Sequence, residues 1–116
     1  MDCIFCKIVE GTIPSRKVYE DDQILAFHDI QPQAPVHLLV IPKKHIASLD
    51  AAESDDAELL GRAMLAAKQV ANDAGLADSG YRVLTNIGQD SGQVVFHIHL
   101  HVLGGEKLAG LNPPNS

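Results

Sequence analysis

No apolar run in this 116-residue chain approaches the roughly 18 residues of a membrane-spanning helix, so no span is expected. Basic residues are not in excess either: 9 Lys and Arg stand against 15 Asp and Glu, a net charge of −6 with histidine neutral. Such a surface argues against binding a nucleic-acid polymer, which calls for a basic stripe. It still allows one small phosphorylated ligand held by backbone N–H groups. The opening Met1-Asp2-Cys3 lacks the basic and apolar regions of a secretory signal, which makes the cytoplasm the expected location. Cysteine is scarce. Cys3 and Cys6 are the only two, and in that compartment they are expected as thiols or metal ligands rather than as a disulfide. There is no internal repeat, low-complexity tract or linker. One domain over residues 1–116 is expected, with an irregular tail from about residue 104. With 46% hydrophobic residues, the chain can build a core without crosslinks.

What is present in force is histidine. His97-Ile98-His99-Leu100-His101-Val102-Leu103 alternates imidazoles with aliphatic side chains, the period of a half-buried strand. Ile98, Leu100 and Val102 would face a core. His97, His99 and His101 would share the opposite face, able to act as nucleophile, acid, base or metal ligand near neutral pH. A solvated polar strand face is the plain alternative, but such faces draw on Lys, Thr, Glu and Ser.

The remaining elements follow in order. Residues 3–10 read as a short helix stopped by Gly11 and Pro14. Its Ile4, Phe5 and Ile8 serve either a core or an apolar slot for a flat ligand. Residues 17–20 and 23–28 form a hairpin, and 31–35 a proline-bearing loop. Val36 to Ile41 reads as a central strand covered on both faces, ended by Pro42. Residues 50–75 hold the clearest helix, with Asp55 as N-cap, Glu58 at the third position and Gly75 after its end. Its stripe is Ala57, Leu60, Met64, Ala67, Val70, Ala71 and Ala74, with Met64 expected in the core. A strand over 81–87 leads through Gly88 and Gly92 into a histidine strand from about Val94 to Leu103. Those glycines let backbone N–H groups approach an anion. The sum is an α+β domain: five mostly antiparallel strands, one long helix and a short N-terminal helix.

The His-x-His-x-His run followed by Val102-Leu103 resembles the signature of the histidine triad (HIT) family of nucleotide hydrolases and transferases. The likeness extends to Ile4-Phe5-Cys6-Lys7-Ile8, Ile13-Pro14-Ser15, residues 27–37, residues 40–45 and Gly92-Gln93-Val94-Val95-Phe96. It covers roughly residues 3 to 105 and is nearest the short Hint type. The resemblance implies a HIT-like fold and a hydrolase or transferase acting at the α-phosphate of a purine nucleotide conjugate, such as an AMP phosphoramidate. His99 would be the nucleophile, forming a nucleotidyl-histidine. His101 would contact phosphate or leaving group, with His37 and His97 orienting the set and relaying protons. Asn86, Gln93 and the N–H groups around Gly92 and Val94 would hold phosphate. Asp29 would accept the ribose hydroxyls, and Phe5, Ile8, Phe27, Ile30 and Leu39 would line the base slot. A homodimer is implied as well. Val94 departs from the serine of many Hint-type proteins, whose hydroxyl helps protonate the leaving group; valine offers none.

Two rivals stand beside this reading. One is a His-ligated metal enzyme, the other a slow or non-catalytic nucleotide sensor. No cofactor is expected for the chemistry. Cys3-x-x-Cys6 lacks the preceding strand of a thioredoxin-like redox pair. It is either two free thiols or half of a closed Cys2His2 zinc site of the kind some bacterial family members carry. His45 and His97 are the partners that leave the nucleophile free. His97 can serve both zinc and triad only if one nitrogen binds metal and the other faces the triad.

Overall fold

The protein, seen in a computed structural model, is described over residues 3–110. The expected tail beyond Gly110, with Pro113 and Pro114, lies outside the described residues.

Five antiparallel strands form one sheet in the order β1-β2-β3-β5-β4. They are β1 (Lys17–Glu20), β2 (Ile24–His28), β3 (Val36–Pro42), β4 (Tyr81–Leu84) and β5 (Leu100–Gly104). Asp21 makes the first turn: its Oδ1 accepts from the N–H of both Gln23 and Ile24, so β1 folds straight back as β2. The central strand β3 is buried on both faces, as its apolar run predicts. On one face Ile24, Ala26, Leu38, Val40 and Val102 pack against helix α2 (Ala57–Asp73). On the other, Leu25, Phe27, Leu39 and Ile41 pack against helix α1 (Ile4–Glu10). This is the α+β architecture expected. The second face is only partly covered by α1, and the functional cleft occupies the rest.

Helix α1 ends at Gly11, whose φ of 86° is open to glycine at little cost. Helix α2 differs from expectation at its start. A 3-10 turn over Ser54–Asp56 precedes it, and the capping box is formed by Glu53 and Asp56 rather than by Asp55 and Glu58. Its buried stripe is Ala63, Ala66, Ala67, Val70 and Ala71, and Met64 is 52% exposed rather than in the core. Alanines allow the helix to lie close to the sheet, and the longer Met64 and Leu65 are left outside. Just past α2, Leu76 packs onto Gly104, where a Cβ would lie 2.8 Å from Leu76 Cδ1.

The histidine strand is shorter than its alternation suggests. Only Leu100 to Gly104 joins the ladder, and β4 stops at Leu84. The cause is Pro42, the residue that would face Ile98 in the register pairing Val40 with Leu100. Proline has no N–H to extend the ladder. The Pro42 carbonyl instead meets Nε2 of His97 at 2.8 Å, and the Ile98 N–H turns to the carbonyl of Ile46 at 2.6 Å. Ile98 and Val102 still face inward and are buried, with Leu100 partly buried against the same core.

Candidate active site

A cleft of about 380 Å³ opens beside α1. Its walls come from α1, the end of β2 and the loop after it, β3, and the segment from Asn86 to His101. It brings together Phe5, Ile8, Phe27, Asp29, Ile30, Leu39, Asn86, Gly92, Gln93 and Val94 with His37, His99 and His101. Phe5 and Ile8 belong to the core beneath α1 and also line the cleft, so both readings of that apolar patch hold. Ile30 is 92% exposed and can offer only a rim.

His97 is the exception. The motif's three histidines do not share one site, because His97 turns away and is fully buried. The cleft's third imidazole is His37, from β3. Nδ1 of His97 lies among the sulfurs of Cys3 and Cys6, and Nε2 donates to the Pro42 carbonyl. Neither nitrogen faces the triad, which removes the expected proton relay through its ring. Its link to the site is its main-chain carbonyl, 2.7 Å from Nδ1 of His99.

Hydrogen bonding assigns the protons on the other rings. A carbonyl only accepts, so His99 carries its proton on Nδ1, leaving the Nε2 lone pair without a protein partner among the described residues. His37 Nδ1 accepts the Gln33 N–H at 2.9 Å, which puts the neutral ring's proton on Nε2. That proton is donated to Nδ1 of His101 at 2.8 Å, with Oδ2 of Asp29 3.4 Å away. His101 therefore keeps its own proton on Nε2.

Burial is the leading cause that lowers the pKa of His37, His99 and His101 alike. Asp29 opposes the shift at all three. For His101, like charge on His99 and His37 adds to burial and brings the value to about 4. At neutral pH the site holds uncharged imidazoles, as a nitrogen nucleophile requires.

Gln93 does not act as the sequence reading has it. Its Nε2 donates to the carbonyls of Ala47 and Val95, and its Oε1 accepts the Gly88 N–H at 2.8 Å. The side chain ties the glycine loop down and is not free for a phosphate. Gly88 and Gly92, both at positive φ, shape that loop. Among the described residues, no carbonyl takes the N–H of Val94 or Val95. The Val94 side chain is 85% exposed at the cleft.

Sequence reasoning missed three supports. The Gln33 N–H fixes His37, Thr85 Oγ1 donates to the His99 carbonyl at 2.8 Å, and Pro42 holds His97. The first and last are main-chain groups, which carry no residue-type signal.

Beneath α1, donor atoms of Cys3, Cys6, His45 and His97 lie within 4.8 Å of one another. Cys6 Sγ is 3.4 Å from His45 Nδ1, Cys3 Sγ is 3.4 Å from His97 Nδ1, and the two Nδ1 atoms are 3.3 Å apart. Ligand–ligand edges around a tetrahedral zinc are about 3.3 Å for two nitrogens and about 3.5 Å for sulfur and nitrogen, so the donor set fits that ion. Burial, with the adjoining Cys3 adding to it, pushes the Cys6 thiol up to about 11, a cost that a bound cation reverses. Asp29, His37 and His101 also converge, but their 2.8 Å N···N contact is a hydrogen bond, shorter than that tetrahedral edge.

The HIT domain family model matches residues 10–108. An uncharacterised HIT-like protein of Synechocystis is 54% identical, covering 93% of this chain and 94% of its own. A crystal structure of a HIT family hydrolase from Legionella pneumophila is 52% identical with a TM-score of 0.91, covering 93% of this chain and 96% of that one. A histidine triad protein of Clostridium difficile is 46% identical with a TM-score of 0.92, covering 97% of both. The chain belongs to the HIT family. Among the described residues, no helix is long and apolar enough to cross a membrane.

Proposed function

We propose that this protein hydrolyses nucleoside phosphoramidates, conjugates of a purine nucleotide such as AMP with an amine, through a nucleotidyl-His99 intermediate. One observation carries the reading: the His99 Nδ1–H is pinned by a carbonyl, which leaves the Nε2 lone pair for the cleft. Nε2 attacks the α-phosphorus, the P–N bond breaks, and the amine leaves with a proton from His101 Nε2. Water then attacks the same phosphorus and returns a proton to His101, restoring His99 and releasing the nucleoside monophosphate. The His101 Nε2–H faces a phosphate oxygen or the departing nitrogen. Asn86 and the free N–H groups at Val94 and Val95 hold the remaining oxygens. The base rests among Phe5, Ile8, Phe27 and Leu39, and Asp29 Oδ2 takes the ribose hydroxyls. Asp29 Oδ1 is already occupied by the Gln31 N–H.

A zinc ion on Cys3, Cys6, His45 and His97 belongs to the same proposal as a structural crosslink. A cytoplasmic, homodimeric protein with no nucleic-acid polymer as partner completes it. The Legionella relative, a HIT family hydrolase, supports the hydrolytic part of this reading, and the net charge of −6 argues against a nucleic-acid polymer. Mass spectrometry of protein quenched during turnover of an AMP–amine phosphoramidate tests it. A nucleotidyl adduct is expected on the His99 peptide. Bound AMP without adduct or turnover would make the protein a sensor, and chelation that abolishes the turnover left in a folded Cys3→Ser, Cys6→Ser variant, where the cysteine cluster no longer holds metal, would favour metal catalysis.

A further inference from the structure

Three separate routes lead from the cysteine–histidine cluster to the cleft. The first is His97 itself. Its ring is held at both nitrogens, by the cluster and by Pro42, and its carbonyl fixes the Nδ1–H of His99. The second is α1. Phe5 sits between the two cysteines in sequence, and its ring meets His99 edge-on at 5.1 Å and Phe27 at 5.5 Å. The third follows His45. The Ile46 carbonyl takes the Ile98 N–H, and the Ala47 carbonyl takes Gln93, whose Oε1 holds Gly88 of the phosphate loop. Nucleophile, base slot and phosphate loop are each tied to the same four side chains.

We infer that Cys3, Cys6 and His45 are positioning residues for the transfer step, acting through His97, so that filling their site with zinc sets the turnover rate as well as the stability. The inference rests on His99 being the nucleophile. When bound, zinc would supply a fixed tetrahedral link between α1, the segment after β3 and His97. Helix α1 has seven residues, and a helix of that length is marginal unless held. With the cluster open, His97 Nδ1 loses its partners and its carbonyl is no longer held in line with His99. The His99 proton then distributes over both nitrogens. In the form protonated on Nε2, the atom facing the cleft has no lone pair to attack with.

The test compares zinc-loaded wild type, chelator-stripped wild type, Cys6→Ala and Cys6→Asp, at a temperature where each is folded by circular dichroism. Three quantities are read: the ¹⁵N signals of the His99 ring, AMP affinity, and the single-turnover rate of adduct formation. Zinc-loaded wild type is expected to show a single Nδ1–H form. Stripped protein and Cys6→Ala are expected to show mixed tautomers, weaker AMP binding and a rate lower by about 10–100-fold. Cys6→Asp keeps an oxygen donor for zinc and should regain part of each on zinc addition. A crosslink serving stability alone would lower the melting temperature and leave the ring signals and rate unchanged; that result, or failure to take up zinc, overturns the inference. Should Cys6→Ala not fold, stripped wild type and Cys6→Asp with and without zinc give the same comparison. No adduct in zinc-loaded wild type would sink the phosphoramidate reading, while the ring signals and AMP affinity would still report on positioning.

Discussion

The main-chain carbonyl of His97 lies 2.7 Å from Nδ1 of His99, and this one contact decides which nitrogen of the second histidine can attack. A backbone acceptor cannot donate, so the proton stays on Nδ1. His99→Ala should therefore remove adduct formation and lower turnover by more than about 10³-fold, because the attacking atom is gone. AMP binding should persist, since slot and loop remain. Turnover within about tenfold of wild type, worth only about 1.4 kcal/mol of barrier, would show that another group attacks.

Val94→Ser restores a hydroxyl at the cleft mouth. The side chain is 85% exposed, so folding should be nearly indifferent to the change. The rate should rise more for amines that leave poorly than for those that leave well, because a new donor helps only where protonation limits. Kinetics across leaving groups of graded basicity check this. A uniform effect would assign the position to binding alone.

The histidine alternation made the cleft legible because Ile98 and Val102 face the core while His99 and His101 line the cleft on the other side. The same pattern could not show that His97 leaves the site. That depends on Pro42, on the neighbouring strand β3, offering a carbonyl but no N–H. Helix α2 misleads for a related reason. Its alanines supply hardly any hydrophobic contrast, so the stripe is placed by larger residues such as Met64, which the close packing excludes. The cysteine pair was readable as metal ligands by chemistry. His45 and His97, the partners expected because they leave the nucleophile free, are the two imidazoles that the fold brings to that pair.

Gln93 offers a test of loop integrity. Replacing it with Ala strands the carbonyls of Ala47 and Val95 and the Gly88 N–H in a partly buried site. Stability should fall by about 1–3 kcal/mol, the usual cost of unpaired buried groups. Affinity for AMP should fall more than affinity for adenosine, because the loop faces phosphate rather than base. Equal losses for both ligands, measured by calorimetry, would mean that the residue supports the whole cleft.

Acid should destabilise the fold through the cleft histidines. Burial lowers the pKa of His37 and brings His101 to about 4, against about 6.5 in an unfolded chain. Between those values the unfolded state binds more protons than the folded one, so stability rises with pH across the window. The contribution of His101 is complete above about pH 6.5 and is lost as pH falls toward 4, by at most about 1.4 kcal/mol per pH unit, and His37 acts in the same direction. Urea midpoints from pH 7 to 4 check this, in a Cys3→Ser, Cys6→Ser background to remove proton release at the cluster. His101→Phe carries no titrating ring there, so its midpoint should fall less steeply than that of the parent. Parallel curves for the two proteins would mean that His101 titrates alike in folded and unfolded chains, and the uncharged imidazole assigned to the cleft would have to be abandoned.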